Sequence, residues 1–381
     1  AGVLAKGLVE RIGIPSPVVN HKRFFPDEKS LREELDTVID YSEAIKRIIE
    51  FLLDKQYGII EEIEEIEAVG HRVVHGGERF SDSVLITQEV KDKIRECIPL
   101  APLHNPPNLR GIEAAERLLP DVPQVAVFDT AFHQSIPPYA YTYALPYEYY
   151  ERYRVRRYGF HGTSHFYVAR RAAEMLGKDF KSLRIITAHL GNGASITAVK
   201  GGVSVDTSMG FTPLEGLVMG TRCGDIDPAI AFFLGRNEKV SFDELDRIMN
   251  KKSGLLGISG VSSDMRDILK GMTDGDSRCK LAFDIYCYRV KKYIGAYAAA
   301  MGGVDVLVFT AGVGENASYV RGSILSELGF LGIHIDEERN SSVQGEEADI
   351  SIPGSPVRVL VIPTDEEKII GEDTKRIVEG E

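Results

Sequence analysis

Apolar residues along the chain fall into two alternating kinds of run. Short blocks rich in Val, Ile and Phe, namely EAVGHRVVHGG, QVAVFDT, LRIITAH, ASITAV, VDVLVFT and PVRVLVIP, predict strands. Between them lie stretches with helical spacing. From Ser42 to Leu53 the apolar positions Ile45, Ile48, Ile49, Leu52 and Leu53 line one face of a helix. Strand-like and helix-like segments alternate throughout, which predicts an α/β fold rather than separate all-α and all-β halves. Several strand blocks run directly into a polar or glycine-rich turn. Open α/β sheets place ligands at that edge, so chemistry is sought there.

Length and charge narrow the picture. A chain of 381 residues fits two domains better than one. With 57 acidic against 45 basic side chains the formal charge is −12, which argues against nucleic acid or an anionic membrane as the main partner and requires any basic site to be local. Cys97, Cys223, Cys279 and Cys287 are widely spaced with no CxxC pair, which fits a reducing, cytoplasmic setting rather than a zinc ribbon. No apolar run approaches the ~18–20 residues of a membrane span, and no signal region is recognisable. The segment from Pro137 to Tyr158 holds eight of the sixteen tyrosines and reads either as an interface or lid or as a packed linker.

Two glycine turns are candidates for holding phosphate. In LRIITAHLGNGASITAV the turn Gly191-Asn192-Gly193 joins two strands, where backbone N–H groups approach an anion closely and the Ser195 hydroxyl adds a donor. A plain hairpin needs the same residues. After VDVLVFT comes Ala311-Gly312-Val313-Gly314-Glu315-Asn316, with Ser318 placed to cap the helix SYVRGSILSEL. This second turn also reads as GxGxxA, a dinucleotide fingerprint with Asp336 at roughly the expected distance. Only 45 residues follow Asp336, too few to finish a doubly wound fold, and Glu315 would set a carboxylate beside the pyrophosphate. A Walker GxxxxGK[ST] motif is absent.

Ionisable residues sharpen the candidates without settling them. His71 and His75 are spaced H-x-x-x-H, as are His161 and His165. On a helix that spacing can seat zinc, but the first pair lies on a Val-Val strand, where both would share one face. The second pair straddles a helix start, with Ser164 as its expected N-cap and Gly177 as its stop. No acidic residue completes H-E-x-x-H. Arg72 sits mid-strand, where a charge is costly unless it is paired or faces a ligand. Asp129 ends QVAVF, and Arg222 follows a glycine-spaced loop, where a guanidinium can fork onto phosphate oxygens. Asp365, Glu366 and Glu367 open a helix, which the helix dipole alone favours.

In series, GHRVVHGGERF, APLHNPPN, VFDTAFHQ, YGFHGTSH, HLGNGAS, DTSMGFTPLEGLVMGTRCGDIDP, SSDMRD, FTAGVGENA and VIPTDEE resemble the acetokinase family from about Gly7 to the end. The family's opening segment, of the type V-I-N-x-G-S-S-S-x-K, has no counterpart in the sequence. The resemblance implies two ribonuclease H-like domains of the actin, hexokinase and Hsp70 ATPase kind, with a cleft between them. The expected boundaries are residues 1–128 plus 368–381 for the N-terminal domain and 129–367 for the nucleotide-binding domain.

It further implies magnesium-dependent, reversible transfer of the ATP γ-phosphoryl group to acetate, with manganese able to replace magnesium. Asp129, His161 and Arg222 would be catalytic. Arg72 would bind the substrate carboxylate, and Val74, Leu103, Phe160 and Pro213 would enclose its methyl group. His189, Leu190, Gly191, Asn192 and Gly193 would contact ATP phosphates. Asp264, Met265, Arg266, Gly312, Val313, Gly314, Glu315 and Asn316 would hold the adenosine, and Glu366 would serve magnesium. A homodimer is implied as well. Acetate is ionised near neutrality and needs no general base, so Asp129 is better read as an orienting group, with local positive charge stabilising a loose phosphoryl transition state. The alternatives are a propionate or butyrate kinase, an inactive ATP-binding protein if the phosphate turn is truly missing, and, outside this class, a nicotinamide enzyme.

Overall fold

A computed structural model describes residues 2–102 and 104–380. The chain separates into two units. The first comprises Ala1–Gly76, Ser83–Phe128 and Ile370–Glu381, and the second Gly77–Asp82 and Asp129–Ile369. The expected substrate residue Leu103 lies outside the described residues.

The first unit holds two three-stranded sheets. One is an antiparallel meander of β1 (Ala5–Glu10), β2 (Val18–Arg23) and β3 (Lys29–Glu34). It packs on the helix Tyr41–Leu52 through Val19, Leu35, Ile39, Ala44 and Phe51. Asp40 caps that helix, its carboxylate accepting from Glu43 N at 2.9 Å. In the other sheet β4 (Val69–Val73) runs parallel to β6 (Gln124–Phe128), and β5 (Val84–Leu85) pairs antiparallel with β6. The crossover from β4 to β6 contains the helix Asn105–Leu118, which buries Leu109, Ile112 and Ala115.

In the second unit one six-stranded sheet carries the architecture. Its strands are β7 (Arg184–Leu190), β8 (Ala194–Lys200), β9 (Val203–Thr207), β10 (Val306–Thr310), β11 (Ala348–Asp349) and β12 (Arg358–Val361), in the order β11-β12-β10-β7-β8-β9. Strands β7, β10 and β12 are mutually parallel, while β8 is antiparallel to both β7 and β9. Counted from β7 with β11 left aside, the order is 3-2-1-4-5 with only the second strand reversed, which is the ribonuclease H-like arrangement. Helices cover both faces. Gly162–Leu176 lays Val168, Ala169 and Ala172 against Ile185, Val306, Val308 and Leu360, and Ser277–Met301 packs on β7 and β8. Burial on both faces explains why these strands read as unbroken apolar runs.

Candidate active site

The expected turn residues sit at the carboxyl end of β7. Leu190 ends that strand, and Gly191-Asn192-Gly193 closes it into a hairpin with β8, with Gly191 N donating to Gly193 O at 3.1 Å. A loop spanning 208–224 braces this turn, because Gly220 N donates to Asn192 O at 3.2 Å. The same loop delivers Arg222, whose Nη1 donates to Pro213 O at 3.1 Å. Burial lowers the Arg222 pKa from its ordinary value.

His161 comes from a third direction. It precedes the helix Gly162–Leu176 in the left-handed region, at φ 56°, a conformation uncommon for a non-glycine residue. Gly162 N donates to Asp129 O at 2.9 Å, and a Cβ at Gly162 would lie 2.3 Å from that oxygen, so only glycine lets the helix start so close to Asp129. Asp129 itself is only 2% exposed. Its neighbour in the expected site, Phe160, is equally enclosed, and the Phe160 carbonyl takes a hydrogen bond from His133 Nε2 at 3.0 Å. The His161 ring stacks on His189, with centroids 4.2 Å apart and planes 20° apart.

These groups converge on one space. A Cβ placed on Gly193 would stand 3.4 Å from Arg222 Nη1 and 3.6 Å from His161 Nε2. A guanidinium and an imidazole therefore both edge the glycine turn, where together they can stabilise negative charge.

Beside the turn lies a cavity of about 670 Å³. Of the expected ATP residues, Gly191, Asn192, Asp264, Met265, Arg266, Gly312, Val313 and Asn316 line it. Asp264 caps the helix Met265–Thr273 and pairs with Arg266, which holds its carboxyl down to about 2. Further lining residues carry no motif and were not anticipated: Leu255, Leu269 and Tyr286 are apolar wall, with Tyr319 and Gln344 at the rim. The volume suits a nucleoside-sized ligand.

Several local expectations are corrected. Ala311–Asn316 is itself a short helix rather than an open turn, and the next helix, Ser318–Leu325, is preceded by Ala317 with no side-chain cap, so Ser318 does not cap it. The Glu315 carboxylate is engaged within the protein: its Oε1 accepts from Ala311 N at 2.7 Å and Thr364 N at 3.1 Å, closing the turn from within. Gly314 is buried beneath that turn. Asp336 caps the helix Glu337–Ser342 instead of ending a strand, which removes the acidic residue a dinucleotide site needs. Ser164 lies inside its helix and uses its hydroxyl on His189 Nδ1 at 2.8 Å, and the Ser195 hydroxyl is buried between histidines rather than offered to phosphate.

In the first unit, Arg72 on β4 is exposed, so it carries no burial cost. His75 lies beyond the end of β4 at Val73, so strand alternation does not pair it with His71. His75 N donates instead to Asn105 Oδ1 at 3.2 Å, and Val74 N to Asn108 Oδ1 at 3.1 Å. Among the described residues no group of three or more His, Cys, Asp or Glu forms a metal cage. Glu366 opens the helix Glu366–Glu379, where Asp365 Oδ1 accepts from Lys368 N. A single carboxylate at Glu366 still fits magnesium, which favours one or two carboxylates completed by substrate phosphates and water. No described helix is long and apolar enough to cross a membrane.

Comparison with known proteins shows the family and the fold. The model of the acetokinase family matches residues 1–372. Acetate kinase of Thermotoga maritima is 59% identical over 379 residues, covering 99% of this chain and 93% of that protein. Crystal structures of Porphyromonas gingivalis acetate kinase (TM-score 0.94, 52% identity, 99% and 94% of the two chains) and of a Francisella tularensis propionate kinase (TM-score 0.90, 44% identity, 98% and 93%) share the fold. On sequence and structure together, the chain belongs to the acetokinase family.

Proposed function

We propose that the chain transfers the γ-phosphoryl group of ATP to acetate, reversibly, giving acetyl phosphate and ADP. The convergence of Arg222 and His161 on the space beside Gly193 carries this reading. Acetate arrives ionised, so the residues have no proton to remove. Their task is to bring two anions together and to stabilise charge spreading over the equatorial oxygens. Arg222 supplies a fixed cation, His161 a hydrogen-bond donor, and the backbone N–H groups of Asn192 and Gly193, which lie beyond the strand pairing, the remaining donors. Asp129 orients the reacting groups.

By family resemblance Arg72 receives the carboxylate, and Val74, Leu103, Phe160 and Pro213 surround the methyl group. The cavity lined by Asp264–Arg266 and by Gly312, Val313 and Asn316 takes the adenosine, with Gly314 and Glu315 shaping its turn from within. Bound magnesium, or manganese, would neutralise phosphate charge, with Glu366 and Asp129 as the carboxylates on its side of the site.

Acetate is preferred over longer acids, a reading supported by relatives 56–59% identical that are acetate kinases. Trapping acyl phosphate with hydroxylamine, using acetate, propionate and butyrate in turn, tests this. Acetate should give the highest kcat/KM, and equal or better turnover of butyrate would refute it.

The protein acts in the cytoplasm as a homodimer. Support for a second copy comes from the helix Ala229–Asn237, which buries none of its residues and exposes Phe232 and Phe233, with Phe242 nearby in the next helix. The four thiols are all free, which agrees with a reducing compartment.

A further inference from the structure

We propose that Ser195 and His165 form a hydrogen-bonded relay that determines which nitrogen of His161 carries its proton, making them positioning residues for phosphoryl transfer. The proposal rests on the reading of His161 as a donor to the transferring group.

Three contacts make the relay. His161 Nδ1 lies 2.8 Å from Ser195 Oγ, the same oxygen lies 2.7 Å from His165 Nε2, and His165 Nδ1 lies 2.7 Å from Thr187 Oγ1. Ser195, His165 and Thr187 are all 0% exposed. A hydroxyl has one proton to donate, and a neutral imidazole has one N–H and one lone pair. The protons along the chain are therefore coupled, and with the Ser195 hydroxyl proton placed in one of its two bonds only two arrangements satisfy them all.

In the first, Thr187 O–H donates to His165 Nδ1, His165 Nε2–H donates to Ser195 Oγ, and Ser195 O–H donates to His161 Nδ1. His161 is then neutral with its proton on Nε2, the nitrogen that edges the Gly193 turn beside Arg222. In the second, all three bonds reverse and His161 donates from Nδ1. Its Nε2 then carries a proton only if His161 has gained one and become a cation.

A phosphoryl oxygen at the turn is an acceptor, so it selects either the first arrangement or the cationic form of the second. Both present Nε2–H and neither breaks a hydrogen bond. His161 thus remains a donor whether or not it is charged.

The surroundings suit this role. His165 must stay neutral for the coupling to hold, and burial pushes its pKa well below the ordinary histidine value. The neighbouring rings of His133 and His189, with centroids 5.8 and 6.1 Å from His165, oppose a charge there as well. Around His161 the ionisable groups are Arg222 across the turn, stacked His189, His165 one helical turn on, and Asp129, whose carbonyl receives Gly162 N.

Nitrogen NMR of the full chain with 15N-labelled histidine, at pH 8 with ATP and magnesium and no acetate, reads the tautomer directly; His161→Asn identifies the signal. The expected result is neutral His161 protonated on Nε2. In Ser195→Ala the signal should move to a mixture of both tautomers, and kcat should fall roughly tenfold with KM for ATP unchanged, less than the ~100–1,000-fold loss of a donor itself. Ser195→Thr should restore both. An Nδ1–H tautomer in the wild type, or an unmoved signal in Ser195→Ala, overturns the relay even if activity falls. A moved signal with unchanged kcat upholds the relay and removes His161 from the proposed chemistry, so the two ideas fail separately.

Discussion

Arg321 is held by Asn340, which accepts from Nε through its side-chain oxygen at 2.8 Å and from Nη2 through its backbone carbonyl at 2.8 Å. The guanidinium is wholly buried with no carboxylate beside it, and Nη1 donates to Gly314 O and Glu315 O at 2.9 Å each. Burial pulls its pKa down to about 10, still high enough for it to be charged at neutrality. Arg321 therefore fastens the underside of the segment whose upper side lines the cavity proposed for the nucleoside. Arg321→Lys keeps the charge but offers three donors where five bonds are made, the fifth running from Nη2 to Val343 O at 3.1 Å. It is expected to raise KM for ATP several-fold and lower stability by roughly 2 kcal/mol, and Arg321→Ala by about 3–5 kcal/mol because carbonyl partners are left unsatisfied. Urea denaturation with parallel ATP titration measures both effects.

Gly193→Ala separates chemistry from folding. Gly193 has ordinary backbone angles, and the new methyl would sit in normal contact with Arg222 and His161, so the fold tolerates it. That methyl would occupy the space proposed for a phosphoryl oxygen. The variant should keep its thermal transition and bind ATP while losing at least ~100-fold in kcat. Full activity would place the transferred group elsewhere.

The architecture was legible in the sequence wherever periodicity was strong. All six blocks read as strands are strands: in five of them burial on both faces leaves an uninterrupted apolar signature, and β4, exposed at Gly70 and Arg72, is marked by its valines instead. The meander β1–β3 escaped notice because AKGLVE and KSLREE expose seven of their twelve residues and carry six charges, leaving no apolar run. Capping rules misjudged Ser164 and Ser318, and the turn rule misjudged Ser195. Ser164 and Ser195 find histidine partners 25 to 34 residues away, and local preference carries no information about partners at that distance. Arg321, in an unremarkable SYVRGSIL, gave no signal at all. A buried arginine can be recognised only once its carbonyl partners have been brought together.

His133 should make the second unit sensitive to acid. Its Nε2 faces Phe160 O at 3.0 Å and must donate, which leaves Nδ1 to accept from Ser204 Oγ at 2.9 Å. Burial pushes its pKa down to about 4, with the Phe160 hydrogen bond opposing the shift. The unfolded chain takes up this proton below pH ~6.5 and the folded chain only near pH 4, so stability is full above ~6.5 and falls as the pH drops between the two values. Between pH 7.5 and 5 the loss from this residue is about 2 kcal/mol. His133→Gln can donate to Phe160 but does not titrate, and it should flatten the pH dependence by that amount. Urea melts followed by far-UV circular dichroism at the two pH values give the comparison; an unchanged slope would mean that His133 is not the group responsible.

The helix Ala229–Asn237 should lose its partner when its apolar face is charged. Phe232 is 59% exposed, Phe233 63% and Phe242 85%, in a stretch where no residue of the helix is buried. A phenylalanine buried at an interface contributes ~1.5–3 kcal/mol, and in a twofold dimer each substitution counts twice. Replacing Phe232 and Phe233 by aspartate should therefore weaken self-association at least about 100-fold. Light scattering across a dilution series should show a dimer for the wild type and a monomer for the double variant at the same micromolar concentration. Because the cavity proposed for the nucleoside is lined by other residues, ATP binding should persist in the monomer. A double variant that remained dimeric would move the interface away from this helix, and a wild type monomeric at every concentration would refute the dimer itself.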